Sequence, residues 1–193
     1  MGFNVLINGD QVPIQPGFKI KKNYIEKVEE WNPVTENAAA YYQFSTDKGE
    51  ANIVHTIPDA CIDIMFCIDP SNPSGSFFGK RTTSSIITLK PGCVYFGFRP
   101  YSEKGLKKLK YDLNEIHNEE IPITQILNGS GDLIIERLLK ADSFEKRIEV
   151  FQGFLKEELI DFDYSANLSN DIAVYCNKVI CLSKGKYKIN NLN

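Results

Sequence analysis

One stretch constrains the fold more than any other. From Cys61 to Ile68 the residues alternate with a period of two. Ile62, Ile64, Phe66 and Ile68 fall on one face of an extended chain, and Cys61, Asp63, Met65 and Cys67 on the other. The first face is wholly apolar. The second is small, rich in sulfur and carries one acid. A strand with neither face suited to solvent belongs inside a sheet, covered on both sides. The preceding Ile57-Pro58-Asp59-Ala60 reads as a tight turn, with proline fixing φ and Asp59 able to bond its own backbone.

Similar signals recur before and after it. Phe3–Ile7 reads as a strand closed by the turn residues Asn8-Gly9-Asp10. Pro13, Pro16 and Gly17 then break the chain's pattern, and Lys19–Val28 is ambiguous between a strand and a solvated basic loop. Ala39–Phe44, Ile53–Ile57, Ser76–Arg81, Ser85–Leu89 and Cys93–Arg99 each read as strands. Turn chemistry separates them, at Asp47–Gly49, Pro70–Gly75 and Lys90–Gly92. Short strands at this spacing suggest an all-β barrel or jelly roll over residues 1–100.

After Pro100 the period changes to that of a helix. Leu106, Leu109 and Leu113 share one face of a predicted helix from Glu103 to Leu113. A short element follows from Ile121 to Asn128-Gly129. Asp132 is placed to cap Leu133–Lys140, and Asp142 with Glu145 forms a capping box. The helix after it carries Phe144, Ile148, Phe151, Leu155 and Leu159 on one stripe. A last helix runs from Ser169 or Asn170 to about Ser183, with Gly185 as its C-terminal cap. The expected class is α+β: a β module at 1–100 packed against a helical module at 101–193.

Composition removes several functions. With 22 basic against 25 acidic residues the formal charge is −3, which argues against a nucleic-acid surface. No apolar run reaches membrane-span length, and the N-terminus lacks a signal peptide's basic start. Five cysteines, Cys61, Cys67, Cys93, Cys176 and Cys181, sit mostly among apolar neighbours, as reduced thiols in a cytoplasm would. His55 and His117 fall in different modules, so a metal centre is not expected, nor any cofactor. Cys61 near His55 could be drawn as a nucleophile and base, but a buried thiol beside a turn histidine is the commoner arrangement. Gly129-Ser130-Gly131 lacks the rest of a phosphate-loop pattern.

Pro58-Asp59-Ala60-Cys61-Ile62-Asp63-Ile64-Met65-Phe66 resembles the Pro-Asp-Gly-Cys-Ile-Asp-Ile-Ile-Phe motif in the N-terminal domain of a branch of AraC-family transcriptional regulators. Ala60 stands where that motif has glycine. Phe78-Gly79-Lys80-Arg81-Thr82 resembles the family's Val-Gly-Pro-Arg-Thr. Pro91-Gly92 through Phe96-Gly97-Phe98-Arg99-Pro100 resembles its Pro-Gly to Phe-Gly-Val-Arg-Phe segment. Ile121–Leu127 and Ser143–Leu155 resemble its two post-barrel helices. The segments occur in order over about residues 39–160.

The resemblance implies a cupin-like β-barrel that senses a small-molecule effector, a helical module that mediates homodimerisation, and no catalysis. In the family two helix-turn-helix motifs come next; here Gly185–Leu192 resembles the approach to the first, and DNA would be contacted only through a domain absent from this chain. The alternatives are a stand-alone small-molecule-binding protein of the same fold and a cupin-type enzyme. The expected ligand-binding residues are Asp63, Met65, Arg81, Tyr95 and Arg99. A buried carboxylate needs a cation, and an arginine fork suits it best. Asp63 is therefore expected to pair with Arg99 or, second, with Arg81, beside a cavity lined by Met65 and Tyr95. Phe144, Phe151, Phe154 and Leu155 are expected to offer apolar surface for self-association.

Overall fold

A computed structural model describes residues 15–32, 37–49, 52–101, 106, 109–127 and 129–159. The expected strand at Phe3–Ile7, the helix near 169–183, its Gly185 cap, Cys176 and Cys181 lie outside the described residues.

A short helix α1 (Pro16–Lys19) is followed by β1 (Lys22–Asn32), β2 (Asn37–Ser45), β3 (Asn52–Thr56), β4 (Asp63–Ile68), β5 (Ser74–Phe78), β6 (Ser85–Leu89) and β7 (Val94–Pro100). Then come β8 (Glu120–Pro122), α2 (Ile123–Ile126), α3 (Gly131–Lys140) and α4 (Phe144–Phe154), which widens into a π-helical turn at Leu155–Leu159. The strands form a six-stranded antiparallel sheet, ordered β1-β2-β7-β4-β5-β8, and a two-stranded sheet of β3 and β6. The architecture is mixed α+β. The sheets do not close into a barrel, which corrects the expectation from strand spacing. Spacing reports that strands are short, whereas closure depends on which distant strands pair.

The two-faced strand lies inside the large sheet, between β7 and β5. Its apolar face packs with Tyr41, Phe77, Phe96 and Phe98 of neighbouring strands against Ile134, Leu138, Phe144, Ile148 and Phe151 of α3 and α4. Its other face places Met65 and Cys67 with Tyr42, Phe44, Phe78 and Tyr95 against Val54, Ile87 and Leu89 of the small sheet. The described structure is thus layered: helices, large sheet, small sheet.

The α4 stripe is buried over its whole length, including Leu155 and Leu159. Phe144, Phe151, Phe154 and Leu155, expected to carry self-association, are covered by the chain's own sheet. A sequence shows that a stripe is apolar but does not show what covers it.

Local expectations met mixed outcomes. Ser85–Leu89 is a strand over the expected range, and Lys22–Asn32 resolves the ambiguous segment as an edge strand. Among the described residues of the expected 103–113 helix, Leu109 forms an isolated bridge with Leu127 and none of 109–113 is helical. Ser143, not Asp142, caps α4, its hydroxyl accepting from the Lys146 amide at 3.2 Å. Ser130 is the N-cap of α3, and Asp132 sits in its first turn.

Candidate functional site

The site is built from the turn before β4 and from the ends of β4 and β7. Ala60 holds φ at +54°, the left-handed geometry that glycine adopts without strain. Its amide and that of Asp59 donate to the Arg81 carbonyl at 3.1 and 3.2 Å. The Asp59 carboxylate accepts from the Cys61 amide at 3.1 Å, an Asx turn. Backbone bonds therefore hold the turn that the alanine opposes, and Asp59 and Asp63 project into the same space.

Arg99 meets both acids there. Its Nε donates to Asp63 Oδ1 at 3.0 Å, and one terminal nitrogen donates to Asp63 Oδ2, a two-pronged pair. The other terminal nitrogen reaches Asp59 Oδ2 at 2.9 Å. Arg99 and Asp63 are each 3% exposed. Burial, the largest single influence, pushes the arginine's pKa down, but the Asp63 charge and hydrogen bond, with Tyr42 and Asp59, together outweigh it and hold the guanidinium above its ordinary value. The Tyr42 hydroxyl completes the cluster, donating to Asp63 Oδ1 at 3.0 Å. Burial, and then the Asp63 charge, push that phenol well above its usual range. Gly97 makes this reach possible: a Cβ there would lie 2.1 Å from Tyr42 Cζ, across the β2–β7 ladder.

The Asp63–Arg99 pair is therefore present as expected. Arg81 lies beside the cluster but its guanidinium is engaged differently: it stacks over Phe78, the cross-strand partner of Asp63, at 5.1 Å and donates to the Ser85 hydroxyl. Its burial lowers its pKa. Met65 and Tyr95 are packed into the core between the sheets. Tyr95 stacks on Phe44 at 5.3 Å, and its oxygen accepts from the Lys90 amide at 2.7 Å. Along β7, Tyr95 stands about 13 Å from Arg99 at the strand rise of roughly 3.3 Å per residue. Among the described residues the expected cavity lined by Met65, Tyr95 and the ion pair is not seen: Met65 and Tyr95 pack against Val54, Ile87 and Leu89 of the small sheet and the aromatics of the large one.

A small cavity opens instead at the Arg99 end. It measures about 20 Å³, room for about one water. Gln15, Phe18, Tyr24, Glu26, Tyr42 and Arg99 line it. Tyr24 donates to Glu26, and burial followed by that bond raises its pKa. Tyr101, near the same charges, is pushed up to about 12, first by burial and then by Glu26. Of the five expected ligand residues, Arg99 lines this cavity and Asp63 stands directly behind it.

The segment before β1 closes the site. Phe18 is 4% exposed and stacks on Tyr42 and Phe44 at 5.5 and 5.4 Å. The Gln15 side chain donates to the Ile57 carbonyl at 2.8 Å and to Asp59 Oδ2 at 2.6 Å, and accepts from the Ile57 amide at 2.9 Å. Sequence reasoning missed both residues, because Pro16 and Gly17 read only as breakers. Asp59 reads in its motif as a turn residue, and nothing local shows that its carboxylate also meets Arg99.

Comparisons with protein families, with curated proteins and with solved structures found no match. The chemistry of the site must then be read from its own residues. Among the described residues no group of His, Cys, Asp or Glu is arranged to hold a metal ion. His55 is exposed on β3, while the Cys61 thiol donates to the Asp59 carbonyl at 3.3 Å. Among the described residues, no helix is long and apolar enough to cross a membrane.

Proposed function

We propose that this chain is the ligand-sensing domain of an AraC-type transcriptional regulator, non-catalytic, with DNA contacted through a separate domain. One observation carries the reading. The three segments that resemble the family's β region, around Asp59 and Asp63, around Arg81, and around Arg99, converge in space. Asp59 and Asp63 share the Arg99 guanidinium, and the Arg81 carbonyl anchors the turn between them. A buried polar cluster beside an aromatic wall is the composition of a small-molecule site. Homodimerisation, which the resemblance also implies, would use a surface other than the covered α4 stripe.

The test is a thermal-shift screen of metabolite-sized compounds on the full chain, with Arg99→Lys as control. A bound compound raises the unfolding midpoint with saturation. Loss of the guanidinium fork in Arg99→Lys is expected to weaken its Kd at least tenfold. A ligand held equally by the variant, or a chemically diverse panel with no saturable hit, overturns the assignment. In a gel-shift assay, the chain by itself is expected to show no submicromolar, sequence-selective DNA binding.

A further inference from the structure

Gln15 and Phe18 occupy the site in the manner of a ligand. Phe18 comes from a four-residue helix, not from a strand, yet its ring lies nearly parallel to Tyr42 and Phe44, at 18° and 16°. Gln15 is 3% exposed, and its carboxamide uses both of its donors and accepts one hydrogen bond. The oxygen accepts from the Ile57 amide, and the nitrogen donates to both the Ile57 carbonyl and Asp59. This is an amide pairing with one backbone residue, with a carboxylate taking the second amide hydrogen. A carboxylate in its place would lack both donors and would face the Asp59 charge. Gly17 lies between the two groups, flat against β3: a Cβ there would come within 2.6 Å of the His55 carbonyl oxygen. The contacts that fasten the segment are chiefly those of side chains, so it can leave without breaking a sheet ladder. The small cavity beside it extends the slot toward Arg99 and Glu26.

We infer that Gln15–Phe18 is a built-in occupant of the effector site, and that the effector is an aromatic carboxamide that displaces it. The inference rests on the reading of this cluster as an effector site. The ring of such a compound stacks on Tyr42 and Phe44 in place of Phe18. Its primary amide replaces that of Gln15 on Ile57 and Asp59. Effector binding and release of the N-terminal segment are then one event, a displacement by a ligand favouring the open state.

The probe is 3-phenylpropanamide, with 3-phenylpropanoate and propylbenzene as controls, on the full chain. Gly17→Val lifts the segment through its clash with β3 and changes no residue of the slot. The amide is expected to bind Gly17→Val at least tenfold more tightly than the native chain, and at least tenfold more tightly than either control binds the variant. Equal affinity for native and variant chains, or controls binding as well as the amide, overturns the inference. Gln15→Ala gives an independent measure that needs no lifted segment. Exchange of the Ile57 amide hydrogen is expected to speed at least tenfold in that variant and to slow again with the probe; unchanged exchange overturns the inference. If these probes fail while another compound stabilises the native chain in an Arg99-dependent way, the inference falls and the effector-site reading stands. If neither binds, both fall.

Discussion

The two faces of the large sheet are built from the same strands and differ in kind. The face toward α3 and α4 is apolar and aromatic. Phe151 alone meets Phe66, Phe96 and Phe98 at 5.6, 6.0 and 5.1 Å. The face toward the small sheet holds aromatics too, but ends in Asp63, Arg99 and the Tyr42 hydroxyl. Because successive side chains alternate, one strand supplies both: Ile64 and Phe66 to the first face, Asp63 and Met65 to the second. The helix face obtains its stability from burial, which is nondirectional and adds with area. The polar face depends on pairing, where each group is costly without its partner. The first can only hold the domain together. The second can also exchange one partner for another, as a binding site must.

Single and double substitutions break the comparison most strongly. Phe151→Ala is expected to cost about 3–5 kcal/mol as a cavity in the helix face. Asp63→Ala is expected to cost about as much, because it leaves a buried cation without its main partner. The faces then separate in a second step. Adding Arg99→Met to Asp63→Ala should recover at least half the loss, whereas no second truncation restores Phe151→Ala. Urea unfolding of Phe151→Ala, Asp63→Ala and the double variant measures this, and a double variant no more stable than Asp63→Ala would contradict it.

A smaller effect, of opposite sign, belongs to the turn that aims the acids. Ala60 is held at φ +54°, which costs an L-residue about 1–2 kcal/mol. Ala60→Gly is expected to relieve it, offset in part by the greater freedom of glycine in the unfolded chain. A net gain of about 1 kcal/mol in urea unfolding should result, and a loss would show that the methyl group is packed.

The smallest effect is in pH. Burial raises the Cys67 thiol from its ordinary 9.0 to about 11. The native state then holds this proton more tightly than the unfolded chain does. Its contribution is complete below pH 9 and is lost as pH rises from 9 through 11, by no more than about 1.4 kcal/mol per pH unit for one proton. Between pH 9 and 10 this slope should flatten in Cys67→Ala. An unchanged slope would assign the loss to other groups, such as the phenols of Tyr42 and Tyr95, which burial also raises.

The sequence by itself determined the features carried by local periodicity. The alternation at 61–68 is a two-faced interior strand, and the α4 stripe is an apolar helix face that something must cover, because the side-chain period suffices for both. The Asp63–Arg99 pair was also legible, since a mid-strand acid must find a cation and Arg99 falls on the matching face of its own strand. Tertiary structure alone decided the rest. It left the sheets open, covered the surface assigned to self-association, and placed Tyr95 and Arg81 away from the cavity. It made Gly97 the gap through which Tyr42 reaches Asp63. It also brought Gln15 onto Ile57 and Asp59, partners more than forty residues away. The physical reason is range: a repeat of two or 3.6 residues is written along the chain, but which segment fills a space is settled by contacts between residues that no local pattern relates.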